Sequence, residues 1–332
     1  MNSSTTANSI QKAYLSQIRH MLPENISLAD ELSELLSISR DSAYRRIRGE
    51  TVLSLDEVKK LFDQYELSID AMLSPESNMV LINHQATDFD YSLSEWLKML
   101  IHNLELAKSS KELELILAEK DIPVFRYFLF PELASFKLFV WLKSIIKDAN
   151  YENQLFSFDV LPKELLAQAT RASHIYSSIP SIEIWSDEAI HSTLKQIEFY
   201  HECEYFAQPD IASQLYDRLL EFVNYIKSEA AVGKKSDGGS FSLYHNEILI
   251  PDNTIYGKIQ NQRVVFINYN LMDFLSTHQE SFCDKTEIYM NNLIKNSALI
   301  STIAEKERNR FFNKMEEKIE AAKRKLAIKK LI

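Results

Sequence analysis

Arginines are concentrated near the start of this 332-residue chain. Arg40, Arg45, Arg46 and Arg48 lie close together, and Asp41 is the one acidic residue among them. Because the whole chain carries a formal net charge of −10, this positive charge is a local feature. Guanidinium groups form paired hydrogen bonds with phosphates and with the edge of guanine. The field at the docking surface governs binding to a polyanion, so this segment indicates contact with nucleic acid.

A helix, a tight turn and a second helix are predicted around these arginines. Ser39 is suited to cap the second helix, over residues 40–48, and Gly49 to end it. Side chains three and four residues apart share a helix face, so Ala43 and Ile47 should pack on the first helix while the polar residues face outward. We expect the following residues to contact double-stranded DNA: Ser39, Arg40, Asp41, Ser42, Tyr44, Arg45 and Arg48.

Residues 39–50, followed by 53–57, resemble the helix-turn-helix core of lambda-repressor-like (XRE-type) bacterial transcriptional regulators. The resemblance covers residues 10–73. In that family the residues after the turn face the major groove, which implies this role for six of the residues named above, all except Ser42, whose hydroxyl suits a phosphate at the helix start. It also implies a homodimer, because such proteins usually bind two half-sites. Three residues depart from the family pattern: Ser33, Ser37 and Arg46.

The length of the chain predicts more than one domain. We expect a disordered tail over 1–9, a helix-turn-helix domain over 10–73, a linker over 74–90, a helical domain over 91–235, and a sheet with C-terminal helices over 240–332. The expected fold class is mainly α. Its larger C-terminal region is α+β, with a small antiparallel sheet and a long C-terminal helix.

Strand-like sequences after residue 240 indicate the antiparallel sheet. The runs are 241–244, 247–250, 254–259 and 264–269. Three weaker strand candidates lie earlier in the chain, at 80–82, 113–117 and 182–185. The glycine-containing segment 233–239 is typical of an exposed loop.

Aromatic residues are dense over 125–141 and have two interpretations. Core packing is the favoured one. The alternative is an apolar pocket for a small-molecule effector, with Arg126 or Lys137 as a charged anchor.

Near the C-terminus, apolar residues recur at steps of three and four: Phe312, Met315, Ile319, Ala322 and Leu326. This seam fits a short coiled-coil dimer contact and fits equally well a helix that docks on its own domain.

The sequence offers no pattern for catalysis or for a cofactor. It lacks glycine-rich nucleotide loops and nucleophile or metalloprotease motifs. His191, His201 and Cys203 fall on one predicted helix, but His201 and Cys203 are two residues apart and point in different directions, so they form a poor metal pair. Two cysteines do not make a disulfide framework, and no apolar run is long enough to span a membrane.

We therefore predict a cytoplasmic, sequence-specific DNA-binding regulator that is not an enzyme and uses no metal or cofactor. Its C-terminal region would sense a signal or dimerise. Two alternatives stay open: a helix-turn-helix adaptor that binds protein, and an enzyme with an appended DNA-binding domain.

Overall fold

The computed structural model describes residues 3–23, 26–65, 67, 80, 82–84, 92–110, 112–248, 250, 253–259, 262–270 and 274–329. The chain divides into two compact units, Met1–Leu81 and Ile82–Ile332. Among the described helices, none combines the length and apolarity needed to cross a membrane.

The described part of the first unit is helical. Its helices are α1 (Ser3–Met21), α2 (Leu28–Leu35), α3 (Arg40–Arg48) and α4 (Leu55–Tyr65). They enclose a small core in which Tyr14, Leu32, Ala43 and Leu61 are almost completely buried.

Helix α1 begins at Ser3, within the segment 1–9 for which the sequence predicts a disordered tail. Buried residues such as Ile18 hold the later turns of α1 in the core. Each residue that extends the helix toward its N-terminus adds one backbone hydrogen bond.

The predicted ends of α3 are confirmed. The Ser39 hydroxyl accepts a hydrogen bond from the Ser42 N–H, and Gly49 ends the helix at φ 75°. Left-handed backbone of this kind suits glycine, which has no Cβ to clash. Ser54 caps α4 in the same manner as Ser39 caps α3, by accepting the Glu57 N–H.

The second unit combines helices with one sheet. Its helices are α5 (Leu93–Ser109), α6 (Val124–Tyr127), α7 (Pro131–Val140), α8 (Lys163–Ser178), α9 (His191–Glu202), α10 (Ile211–Val232), α11 (Glu280–Lys295) and α12 (Glu305–Lys329). A π-helical segment, Trp141–Ile146, continues α7. The strands are β1 (Asn83–His84), β2 (Leu113–Glu119), β3 (Ser181–Trp185), β4 (Phe241–His245), β5 (Thr254–Ile259), β6 (Gln262–Asn268), β7 (Phe274–Thr277) and β8 (Ala298–Leu299).

These strands form an 8-stranded mixed sheet in the order β1-β7-β6-β5-β2-β3-β4-β8. Strands β2, β3 and β4 are parallel, and the other described pairings are antiparallel. The expectation of a mainly α protein with a small antiparallel sheet is therefore wrong, because the sheet is large and the fold is α+β. The sheet takes strands from both 91–235 and 240–332.

Two strand predictions also need correction. The described residues of 247–250 form no strand. Of the short strand expected at 80–82, Leu81 lies outside the described residues, Val80 and Ile82 are in no strand, and β1 begins at Asn83. By contrast, the candidates at 113–117 and 182–185 are confirmed as β2 and β3.

Both faces of the central sheet are covered. Neighbouring residues of β3 show this, because Ile184 packs with Cys283 and Met290 of α11 while Trp185 joins the large core on the other side. The aromatic run over 125–141 belongs mainly to that large core, where Phe136 is fully buried.

Helix α12 packs its apolar side onto its own unit. Phe312, Met315, Ile319 and Leu326 are buried in the large core. Of the two interpretations of this seam, the structure supports docking on the same domain.

Candidate nucleic-acid interface

Helix α3 exposes a polar side within the first unit. The side chains of Arg40, Arg45 and Arg48 are 61%, 55% and 53% exposed, and Tyr44 is also exposed. Ala43 points the opposite way and is fully buried. The helix is therefore rotated as its periodicity predicted.

The remaining predicted contact residues lie at the start of the same helix. Ser39 and Asp41 are exposed and Ser42 is half-buried. The two serine hydroxyls are 2.9 Å apart and hydrogen-bonded, while the Ser39 hydroxyl also caps the helix. We name the seven predicted residues together the reading face: Ser39, Arg40, Asp41, Ser42, Tyr44, Arg45 and Arg48.

Arg46 lies outside the reading face and ties α3 to α4. Its guanidinium forms a two-pronged ion pair with Glu57, with Nη2–Oε1 and Nε–Oε2 distances of 2.7 and 3.2 Å. Both side chains are only 15% exposed. Burial raises the pKa of Glu57, but hydrogen bonds from Arg46 and the Ser54 N–H outweigh it, so the pKa is lowered and the carboxylate stays charged. The ion pair thus gives Arg46 a structural role within the first unit.

Gln11 holds the segment that follows α3, a role that the sequence pattern did not predict. Its side-chain amide donates to the carbonyl oxygens of Arg46 (2.7 Å) and Thr51 (2.9 Å) and accepts from the Leu53 N–H (2.9 Å). Gln11 is only 8% exposed. The signal that could have indicated this role was its position on the buried side of α1, where an uncharged amide must find partners inside the protein.

Carboxylates accompany the exposed arginines. Asp30 contacts the Arg40 guanidinium at 2.9 Å. Glu50 forms a two-pronged pair with Arg48 (2.6 and 3.0 Å) and lies 4.0 Å from Arg45. The hydrogen bond from Arg48 lowers the pKa of Glu50, so its carboxylate is ionised at neutral pH.

In the second unit, a buried ion-pair network surrounds Arg126. Its guanidinium donates to Glu183 (2.7 and 3.1 Å) and to Glu229 (2.8 Å). Tyr176 and Ser181 also donate hydroxyl hydrogen bonds to Glu183. Burial raises the pKa of Glu183, but the charge and hydrogen bond of Arg126, the charge of Lys235 and the Tyr176 hydrogen bond together outweigh it, and the pKa is lowered. Arg126, considered above as an effector anchor, is thus paired inside the protein.

Two lysines are buried near this core. Lys137 donates to the Gln196 side chain (2.8 Å) and lies 4.7 Å from the centre of the Tyr127 ring, and burial lowers its pKa to about 8. Lys235 donates to the Tyr176 carbonyl (3.1 Å), and burial lowers its pKa to about 7. Since Lys235 is only 2% exposed, the expectation that 233–239 is simply an exposed loop is wrong at this residue.

Two surface depressions lie away from the predicted effector anchors. One, of about 690 Å³, is lined by residues between 150 and 160 together with Ala207. The other, of about 350 Å³, includes Glu132, Phe158 and Arg218. Neither includes Arg126 or Lys137. Among the described residues, no group of three or more His, Cys, Asp or Glu side chains is placed to hold a metal ion.

Comparison with known proteins found no similar protein. No family model matches the chain, and no curated protein or solved structure is significantly similar to it. The function must therefore be inferred from the residues and geometry described above.

Proposed function

We propose that this chain is a sequence-specific DNA-binding transcriptional regulator whose helix α3 enters the major groove. One observation carries the proposal: Arg40, Arg45 and Arg48 project from the outward side of a short capped helix that follows a tight turn. A short helix with exposed polar residues suits the width of the major groove.

The side chains of the reading face have distinct expected roles. Arg45 and Arg48 suit guanine O6 and N7, while Arg40 lies at the helix start, close to where a phosphate would bind. Tyr44 suits a phosphate or a thymine methyl group. Ser42 adds a hydroxyl at the N-terminus of α3, where the helix dipole favours an anion.

In this proposal the protein is cytoplasmic and binds DNA as a homodimer, so that two reading faces contact two half-sites. The second unit dimerises, receives a signal, or does both. We place the dimer contact outside the seam of α12, whose apolar residues are buried in the core of their own unit.

The test uses the full-length protein. A DNA sequence is first selected from a random pool, and its affinity is then measured by fluorescence anisotropy at several salt concentrations. Replacing Arg45 and Arg48 together by alanine should weaken binding to the selected DNA at least about thirtyfold, since each paired contact to a base contributes roughly 1–3 kcal/mol. The log–log slope of affinity against salt should become shallower by about 0.9 for each phosphate that the variant no longer neutralises.

The control is the double variant Arg171→Ala and Arg310→Ala, which removes the same two positive charges. Both arginines lie in the second unit and are 63% exposed. This control should keep the affinity of the wild type. If the Arg45 and Arg48 variant still selects the same DNA sequence, the reading face is wrongly assigned.

The adaptor alternative has one observation in its favour. Asp30 and Glu50 give the exposed side of α3 a mixed charge, which also suits a protein surface. Binding to a protein partner combined with no measurable DNA binding even at low salt would favour the adaptor over the regulator.

A further inference from the structure

Glu50 lies directly after the end of α3 and is hydrogen-bonded to it. Its backbone N–H donates to the Arg45 carbonyl at 2.8 Å, directly after the left-handed turn at Gly49. Its side chain is 49% exposed and points back along the helix to Arg45 and Arg48. One carboxylate therefore faces two of the arginines of the reading face.

The contact with Arg48 uses one edge of the guanidinium group. Arg48 Nε donates to Glu50 Oε1 and Arg48 Nη2 donates to Oε2. A guanidinium has five N–H donors, so Nη1 and the second hydrogen of Nη2 stay available. These two nitrogens form the outer edge that can contact guanine O6 and N7 together. Arg48 can thus keep its contact with Glu50 while it contacts a guanine.

Glu50 affects binding to phosphates differently from binding to a base. A contact made only to the DNA backbone brings phosphates close to the Glu50 carboxylate, which repels them. Phosphate contacts position a protein on the duplex but carry no sequence information, so they do not require the fixed orientation of Arg48 that a guanine edge requires.

We propose that Glu50 is a specificity-determining residue, which orients Arg48 toward a base and opposes binding that depends on phosphates alone. This inference rests on the proposed DNA-binding function. Glu50 is then expected to weaken binding to random DNA more than binding to the selected site.

The test compares Glu50→Gln with Glu34→Gln in the full-length protein. Glu34 is an exposed residue of α2, so its substitution removes the same charge from the same unit. Glu50→Gln should tighten binding to random-sequence DNA about fivefold, the effect expected from releasing exposed ion pairs. The ratio of affinities for selected and random DNA should fall about tenfold. Glu34→Gln should leave that ratio unchanged.

A second variant separates orientation from charge. Glu50→Asp keeps the charge but shortens the side chain, so it should keep weak binding to random DNA while it lowers affinity for the selected site. A wild type that discriminates between DNA sequences, with an unchanged ratio in Glu50→Gln, would overturn the role of Glu50 alone. A wild type without any sequence discrimination would overturn the DNA-binding function as well.

Discussion

Replacing Gln11 by alanine should destabilise the segment that carries the reading face. The Gln11 amide makes three hydrogen bonds, with Arg46, Thr51 and Leu53, and so joins α1 to the end of α3 and to the chain that leads into α4. Alanine suits a helix at least as well as glutamine, so α1 itself should persist.

The expected loss of stability follows from these hydrogen bonds. Each hydrogen bond contributes about 0.5–1.5 kcal/mol, and a buried donor left without a partner costs about 1–3 kcal/mol. Since Gln11 is only 8% exposed, water does not easily replace its amide. We expect a decrease of about 2–4 kcal/mol in the free energy of unfolding of the first unit. A decrease of about 3 kcal/mol multiplies the open population roughly 150-fold, since about 1.4 kcal/mol corresponds to a factor of ten.

The assay must report on the first unit alone. Trp96, Trp141 and Trp185, the three tryptophans of the chain, all lie in the second unit, so their fluorescence does not report on it. Hydrogen–deuterium exchange measured by mass spectrometry resolves peptides, and the amides of α3 should exchange about two orders of magnitude faster in the variant.

Gln17→Ala is the matched control, because Gln17 is an exposed glutamine of the same helix. It should change exchange within α3 very little. If Gln11→Ala accelerates exchange in α3 no more than Gln17→Ala does, the proposed role of the Gln11 amide is wrong.

Two further predictions concern the second unit. Burial and the negative charge of Glu183 raise the pKa of Glu119, so the wild type should lose stability as pH rises above about 4.5 toward the pKa in the folded state. In Glu119→Gln the free energy of unfolding should therefore depend less steeply on pH, by up to about 1.4 kcal/mol per pH unit. Urea unfolding of both proteins between about pH 5 and 8 measures this dependence, and equal slopes in the two proteins would contradict the prediction. A Cβ at Gly239 would lie 2.5 Å from the Ile179 carbonyl oxygen, whereas one at Gly238 would meet open space. Gly239→Ala should therefore lower the urea midpoint more than Gly238→Ala, whose cost is about 1 kcal/mol from its φ of 93°; the reverse order would contradict the tight packing.

The first unit was predictable because its signals are local. A capping serine, apolar residues spaced three and four apart, and a glycine after the last turn lie within one short segment. The same rules predicted the orientation of α3, since Ala43 and the exposed arginines fall on opposite sides. The role of Gln11 was not predictable in this way, because its partners lie 35 to 42 residues away in the chain.

The sheet was only partly predictable because its pairings are distant. Strand β2 pairs with β3 and with β5, through Ile116 with Ile182 and with Tyr256. Its last residues are buried without alternation, as expected for a strand covered on both faces, so its periodicity resembles that of a buried helix. Strand-like runs could be recognised, but neither their order nor their common sheet follows from local pattern.

The burial of charged side chains could not be predicted from the sequence for a related reason. Lys235 lies in a glycine-containing segment, which is typical of exposed loops, yet its ammonium group is enclosed beside the Tyr176 ring. Arg126 lies between aromatic residues in the sequence, and its partners Glu183 and Glu229 come from β3 and α10. Composition cannot predict which charges meet in the interior, because each pair depends on the tertiary fold.

The ion pairs of the reading face bear directly on the choice between regulator and adaptor. An exposed pair such as Arg40–Asp30 contributes only about 0.2–1 kcal/mol, so breaking it opposes DNA binding weakly. A paired contact between arginine and guanine contributes about 1–3 kcal/mol of discrimination. The acidic partners therefore cannot prevent a matched site from binding. In the proposed regulator they would offset part of the smaller attraction to unmatched DNA, so the carboxylates beside α3 would favour discrimination between sequences over general affinity for DNA.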